Sequence, residues 1–504
     1  MKEALKVFLW GKEIGRLMWH RERNTSYFIY NQDFLKGNLD IAPLTASIRD
    51  ASSTRAIFGE RERMYQKLPS FIADSLPDAW GNQLFDQWRK DNHLSSQSVT
   101  PLEKLAFIGK RGMGALEFVP EIERGKGSDK IDIKALADLA ERIVKERENI
   151  KISLSDSPTL QSLIAVGTSA GGRQPKGIIS INSKTGEIRS GQIETDDNYE
   201  YFILKFGDKT RSSAELEQTY YEMATKAGIN MMESKLLEVE GTIHFLTRRF
   251  DRNHGKLHTQ TLAAMYPEAD SYEYLLFVCR KLDLPQKDCQ EVFRRLVFNI
   301  LANNTDDHNK NFSFIMDKSG QWRLSPAYDM TYIFDTGGYL PNEDHCLMIR
   351  GKYRNISKED ILNFAREEGI SLPERIIDKV AEAIRDFRTL ATKNGVKEEW
   401  IGRIESCLNG HLGDWGFPTS EHIFTYIDES GQLIEKAHIE ASYKGNYHLI
   451  ARIGNRERKY IIRKGTPEHD MITRTGLSNL TGNIIRELVN KYFLTPRQIG
   501  RAHV

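Results

Sequence analysis

The sequence predicts an α+β protein of several units: a strand-rich N-terminal region, a core of strands followed by helices and a strand-rich C-terminal addition. Three observations lead there. The chain has 504 residues, enough for roughly three domains at about 150 residues each. Short alternating apolar runs gather near both ends, the pattern of half-buried strands. Between them lie stretches whose apolar residues recur at helical spacing.

Composition narrows the class. Lys plus Arg number 71 and Asp plus Glu 70, so the net charge of +1 gives no global pull toward nucleic acid or anionic membrane. No run of about 18 apolar residues offers a membrane span. The start, with charges interrupting its apolar residues, reads as a first strand and not as a signal peptide. Cys279, Cys289, Cys346 and Cys407 include no CxxC pair, which argues against a disulfide framework or zinc site and for a reducing cytoplasm.

Taken in order, Leu5–Leu9, Arg16–Trp19 and Ser26–Ile29 are expected strands, and Pro77 is expected at the first position of a helix. Gly125–Asp129 reads as a linker, and 132–147 as an amphipathic helix. Gly177–Asn182 and Ile188–Gln192 read as a strand pair, followed by a strand at Tyr201–Phe206. That last strand's period of two puts Phe202, Leu204 and Phe206 on one face, and Ile203 and Lys205 on the other. Ser212 with Glu215 suggests a capping box opening a helix that ends near Gly228. Strands follow near Lys235–Val239 and Ile243–Arg249, then a buried helix from Cys289 to Asn304. From His422 the pattern returns to strands (Ile423–Ile427, Ala437–Tyr443, Tyr447–Ile453, Lys459–Arg463), with one helix near Asn483–Lys491. The expected division is therefore 1–122, 123–416 (strand-rich lobe to about 250, helical lobe after) and 417–504.

The chemistry concentrates after the buried helix, in Thr305-Asp-Asp-His-Asn-Lys-Asn-Phe-Ser313. Asp306 and Asn311 have the Asp-x-x-x-x-Asn spacing of a kinase catalytic loop, where the Asp accepts the proton of the attacking hydroxyl and the Asn holds magnesium. Asp307 is a second carboxylate that competes for the base role. Phe312–Met316 and Gln321–Leu324 read as a hairpin that returns Asp329 beside Asn311, as a further hard oxygen ligand for magnesium. Upstream, Gly167, Gly171 and Gly172 can free backbone N–H groups for phosphate oxygens. The order that follows, a strand with inward Lys205 and then a helix with Glu217, is that of a kinase nucleotide lobe binding ATP. Lys205 would meet the phosphates and Glu217 would hold it. Arg248, Phe250 and Asp251 fall where the lobes join, with Phe250 and Asp251 the candidates to approach adenine and ribose.

Six segments, in this order, resemble the HipA family of serine/threonine kinases, the toxin half of bacterial toxin–antitoxin pairs. They are Ser75-Leu-Pro-Asp-Ala-Trp-Gly81, Arg111-Gly-Met-Gly-Ala-Leu-Glu117, Gly167-Thr-Ser-Ala-Gly-Gly172 with Pro175-Lys176, Arg249-Phe-Asp-Arg252, Thr305–Ser313 and Pro326-Ala-Tyr-Asp329. The resemblance implies an N-terminal mixed-β domain on a two-lobed, protein-kinase-like core. It implies Asp306 as base, Asn311 and Asp329 as magnesium ligands and Lys205 as phosphate contact, with His308 and Lys310 of the same loop also near the nucleotide. It implies self-inactivation by autophosphorylation at Ser169, beside which Thr168 offers another hydroxyl. The implied partner is a HipB-like helix-turn-helix antitoxin that binds operator DNA, and the implied substrate class is aminoacyl-tRNA synthetases. Two alternatives stay open: a small-molecule phosphotransferase, and a catalytically silent module that binds the antitoxin–DNA complex. The tail from about 417 has no counterpart in that resemblance.

Overall fold

The computed structural model describes residues 3–94, 98–122, 132–146, 174–191, 198–208, 210–252, 255–334, 341–417, 424–427, 433–441, 445–454, 456–475, 480 and 482–494. The fold is α+β. Among the described residues no helix is long and apolar enough to cross a membrane.

The N-terminal sheet contains β1 (Ala4–Leu9), β2 (Lys12–His20), β3 (Thr25–Tyr30), β4 (Ile57–Phe58) and β5 (Leu116–Val119), in the order β4-β3-β2-β1-β5. Alternation decides its faces: Leu5, Val7 and Leu9 point into a core shared with Leu17, Phe28 and Phe118. Gly15 of β2 has no room for a side chain, because a Cβ there would sit 2.3 Å from the Ile29 carbonyl oxygen. The helix expected to open at Pro77 spans Ala79–Asp91, two residues later. Asp78 caps it by accepting from the Gly81 N–H at 2.5 Å, so Pro77 falls outside the first turn.

The second sheet holds β6 (Lys176–Asn182), β7 (Ile188–Ser190), β8 (Tyr199–Lys205), β9 (Ser234–Val239) and β10 (Thr242–Arg248), ordered β7-β6-β8-β10-β9. Phe202, Leu204 and Phe206 pack on Trp80, Leu84, Phe85 and Phe107 of the N-terminal region and on the Ile133–Glu146 helix. The opposite face of β8 carries Ile203 and Lys205 toward a cavity. Behind it runs the Ser213–Ala227 helix. Its expected capping box is absent. Ser212 takes a left-handed backbone (φ 52°), which turns its hydroxyl away from the helix and toward the Lys397 N–H at 3.3 Å. Gly228 closes the helix, also left-handed.

The helical lobe has one large core built by helices Tyr272–Lys281, Gln286–Leu301, Lys358–Glu367, Pro373–Arg385, Phe387–Lys393 and Glu398–Asp414. The buried helix begins at Gln286, just after Pro285, three residues earlier than its apolar stripe suggests. A small sheet of β11 (His258–Thr261), β12 (Ser313–Met316) and β13 (Trp322–Leu324) lies at the cavity floor. The tail forms a separate antiparallel sheet of β14 (Phe424–Ile427), β15 (Leu433–Ala441), β16 (Tyr447–Ile453) and β17 (Arg456–Ile462). Its helices are Pro467–Thr475, which periodicity in the sequence missed, and Gly482–Val489. They close a core of their own with Ile439, Leu449, Ile472 and Ile485.

Candidate active site

The loop that carries Asp306 is fixed by its neighbour. Asp307 is fully buried and saturated: it accepts from Tyr272 Oη at 2.7 Å and the Cys346 N–H at 2.8 Å, and its Oδ2 lies 2.9 Å from His345 Nδ1. Tyr272 in turn accepts from Asn299 Nδ2 at 2.9 Å, and Asn304 Nδ2 donates to Asn299 Oδ1 at 2.9 Å. Both Asp307 oxygens are thus engaged inside the fold, which sets it apart from Asp306. Asp306 is left half-exposed, with His308 Nε2 at 3.9 Å and Cys346 Sγ at 3.8 Å. Asn311 Nδ2 donates to the Asp306 carbonyl at 2.7 Å, which closes the loop and leaves the carboxamide oxygen as its acceptor.

The hairpin β12–β13 returns the chain as expected. Arg295, buried in the central helix, donates to the Ser325 carbonyl at 2.8 Å and pairs with Glu291 at 3.0 Å. Ala327 N–H then bonds the Asn230 carbonyl at 2.8 Å, and Asp329 follows in a left-handed conformation (φ 56°). Short polar residues tolerate that region best. It delivers the carboxylate to Lys205, whose ammonium is paired with both Asp329 and Glu217. Burial alone would discharge Lys205. The two carboxylates outweigh it and hold the ammonium well above its ordinary pKa. Burial likewise pushes Asp329 up, but Lys205 reverses this and leaves its pKa at about 2. Burial raises Glu217, against the opposing pull of Lys205. Asp306 is raised by desolvation, with His308 acting against it and Asp329 with it.

Lys205, Glu217 and Asp329 line a cavity of about 350 Å³, whose lining includes His308 and Asn311 but not Asp306. Its polar lining includes Lys205, Glu217, Asp329, His308, Lys310 and Asn311, and its apolar lining includes Ile203, Met231, Phe245, Phe250 and Tyr328. Phe250 and Tyr328 stack with centroids 5.5 Å apart. Arg248 also reaches the cavity, while pairing with Glu200 at 2.9 Å. Among the described residues no three His, Cys, Asp or Glu side chains converge as a metal cluster. Asn311 and Asp329 do supply the hard oxygens that magnesium takes alongside water and phosphate.

One expectation fails. Asp251 does not face the cavity: it is fully buried, bonded to Arg249 by two contacts of 2.8 Å, to Arg252 at 2.6 Å and to the Gly114 N–H at 2.8 Å. Burial opposes its charge, but the two guanidiniums hold it far below the usual carboxylate range. It locks the N-terminal Arg111–Glu117 segment to the junction of the lobes and cannot also reach a ribose. Gly114 fits there because its φ is +75° and a Cβ would lie 3.2 Å from the Thr259 nitrogen. Gly167, Ser169, Gly171 and Gly172, with Thr168, lie outside the described residues.

Two residues beside the site were not singled out for it in the sequence. Lys176 pairs in register with Lys205 across β6 and β8, and is buried 3.6 Å from Asp78 of the N-terminal region. Trp80 Nε1 holds the Lys176 carbonyl at 2.9 Å. The signal was present, since Pro175-Lys176 and Leu76-Pro-Asp-Ala-Trp80 both fall in the quoted segments, but a contact across about a hundred residues leaves no spacing to read.

Comparison with known proteins bears on the family and the fold. Residues 5–119 match the family model for the HipA N-terminal domain, and residues 168–388 that for the HipA-like C-terminal domain. The "Putative kinase Y4mE" of Sinorhizobium fredii is 24% identical over 427 residues, covering 76% of this chain and 91% of that protein. A "Putative kinase" of Haemophilus influenzae is 26% identical over 141 residues, covering 24% of this chain and 41% of its own length. A solved Shewanella oneidensis complex of HipA, HipB and operator DNA contains a chain that superposes with a TM-score of 0.58 at 18% identity, covering 82% of this chain and 98% of that one. Both family models end before the C-terminal sheet. With the N-terminal and C-terminal parts of the architecture present in order, the chain belongs to the HipA family.

Proposed function

We propose that this protein is a serine/threonine protein kinase that transfers the γ-phosphoryl group of ATP to a protein hydroxyl. The observation that carries the reading is Lys205, buried between Glu217 and Asp329 and facing Asn311 across one cavity. The apolar lining, with the Phe250–Tyr328 stack, suits a purine. Lys205 and Lys310 would take the phosphates. Asn311 and Asp329 would hold magnesium, which supplies charge neutralisation on the phosphates. The Asp306 carboxylate accepts the proton of the Ser or Thr hydroxyl, whose oxygen bonds to phosphorus as the bond to ADP breaks. Because the transition state is loose, the protein's work is positioning and charge placement.

The family supports the finer reading. The substrate is a translation component such as an aminoacyl-tRNA synthetase, the partner a HipB-like antitoxin carrying operator DNA, and the compartment the cytoplasm. The domains divide at about 122 and 416. Ser169 is autophosphorylated, adding about −1.5 to −2 charge to the Gly167–Gly172 loop and opposing a further nucleotide.

The test is intact mass and labelled-ATP transfer. Wild type is expected to carry phosphate on Ser169 and to label protein in a lysate. Asp306→Gln should lower the rate by about 10²–10⁴ and arrive unmodified. Full transfer by both Asp306→Gln and Asp329→Asn would refute the assignment, and label confined to small molecules would refute the protein substrate.

A further inference from the structure

The overall charge of +1 hides a local excess. Residues 445–464 carry Arg452, Arg456, Arg458, Lys459, Arg463 and Lys464 against Glu457 alone. They occupy β16, β17 and the turn after β17, and all six are exposed. Some basic side chains elsewhere on the surface are matched: Arg388 meets Glu398 and Glu405 at 2.7 Å, and Lys393 meets Glu222 at 2.8 Å. Here, among the described residues, none of the six forms an ion pair. Arg452 stands in register between Glu435 and Glu457, whereas the tail's other carboxylates include Glu468, engaged by Lys491, and Glu440, engaged by His438 at 3.4 Å.

We infer that the β16–β17 hairpin is a surface that grips the phosphate backbone of duplex DNA directly, independently of the phosphotransfer site. β17 is the free edge of its sheet. A charged edge strand also deters edge-to-edge pairing, but either sign of charge serves that end, whereas a strong local excess of positive charge selects a polyanion. From Arg456 to Lys464 the strand and turn reach about 25 Å at 3.3 Å per residue. Duplex DNA offers one phosphate per strand every ~3.4 Å of axis, so several fall within that reach. The surface is braced in advance: Arg458 donates to the Phe493 carbonyl at 3.0 Å, and Tyr460 stacks on Tyr492 with centroids 3.9 Å apart. B-form DNA is favoured over duplex RNA because its major groove, about 12 Å wide, admits a β-ribbon, while the A-form major groove is deep and narrow.

The experiment measures anisotropy of a labelled 30-base-pair DNA of arbitrary sequence with the full chain. Wild type is expected to bind, with affinity falling about 100-fold between 50 and 200 mM salt, as about four phosphate contacts require. The variant Arg456→Gln/Lys459→Gln/Arg463→Gln/Lys464→Gln should bind at least about 30-fold more weakly at 50 mM salt, with a flatter salt slope. A control of equal charge, Lys12→Gln/Arg23→Gln/Arg61→Gln/Lys318→Gln, should stay close to wild type. The tail variant should keep the wild-type melting transition and phosphate transfer. If it melts early, Lys459→Gln/Lys464→Gln takes its place. Absence of DNA binding by wild type, equal weakening by tail and control variants, or tighter binding of an RNA duplex of the same length would each overturn the inference.

Discussion

The two ends of this chain are joined to its middle in opposite ways. The N-terminal region has a sheet of its own, but its helices share a core with the strand-rich lobe, where Trp80, Phe85 and Phe107 pack on Phe202, Leu204 and Phe206. It also reaches the cavity through Asp78, Met113 and Ala115. The C-terminal sheet instead closes over Ile439, Leu449, Ile472 and Ile485, none of which belongs to another core. Similar local patterns, short alternating strands, thus produce a structural part of the site at one end and a self-contained addition at the other. The difference lies in whether apolar residues outside the sheet find partners across a boundary.

The contrast can be broken by substitution. The largest effect is expected from Asp251→Asn, which strands Arg249 and Arg252 buried without their counter-ion and frees Gly114. Stability of the whole kinase core should fall by about 3–5 kcal/mol in chemical denaturation. Asp251's folded pKa lies below its unfolded one. Its contribution is therefore complete above about pH 4 and disappears as pH falls toward the folded value. A loss below about 1 kcal/mol would mean the N-terminal lock is cosmetic. Ile472→Ala should cost about 2–4 kcal/mol, read as early hydrogen exchange of the tail alone, with phosphate transfer unchanged. Loss of transfer would show the tail coupled to the site.

Smaller effects sharpen the comparison. Asp78→Asn leaves Lys176 buried beside an uncharged partner and should cost about 1–3 kcal/mol. It should raise KM for nucleotide more than it lowers kcat, since Lys176 neighbours Lys205 in register. Equal changes in both would place Asp78 in folding alone. Smallest is His308→Asn. His308 lowers the pKa of Asp306 against desolvation, so its removal should move the acid limb of kcat to higher pH. A shift to lower pH would contradict the assignment of Asp306 as base.

What could be read from the sequence follows distance along the chain. Asp306, Asn311 and Asp329 lie within one loop and one hairpin, so spacing alone brought them together. The alternation of β8 likewise placed Lys205 opposite Phe202 and Leu204. Asp251 misled because its position at the lobe junction is correct while its burial against Arg249 and Arg252 depends on tertiary packing. Asp307 could be separated from Asp306 only by Tyr272 and His345, about 35 residues away on either side. Ser212 failed as a cap because its hydroxyl serves Lys397, 185 residues on. The tail's basic edge was invisible to a whole-chain charge that averages to +1.

The Lys205 cluster carries one positive charge against the two carboxylates of Glu217 and Asp329. On the proposed reading, a bare nucleotide tetra-anion brings four negative charges to a cluster that is already net negative, whereas one escorted by a divalent ion brings only two and meets much weaker repulsion there. The cleft then acts as a filter for fuel that arrives with its counter-ion already attached.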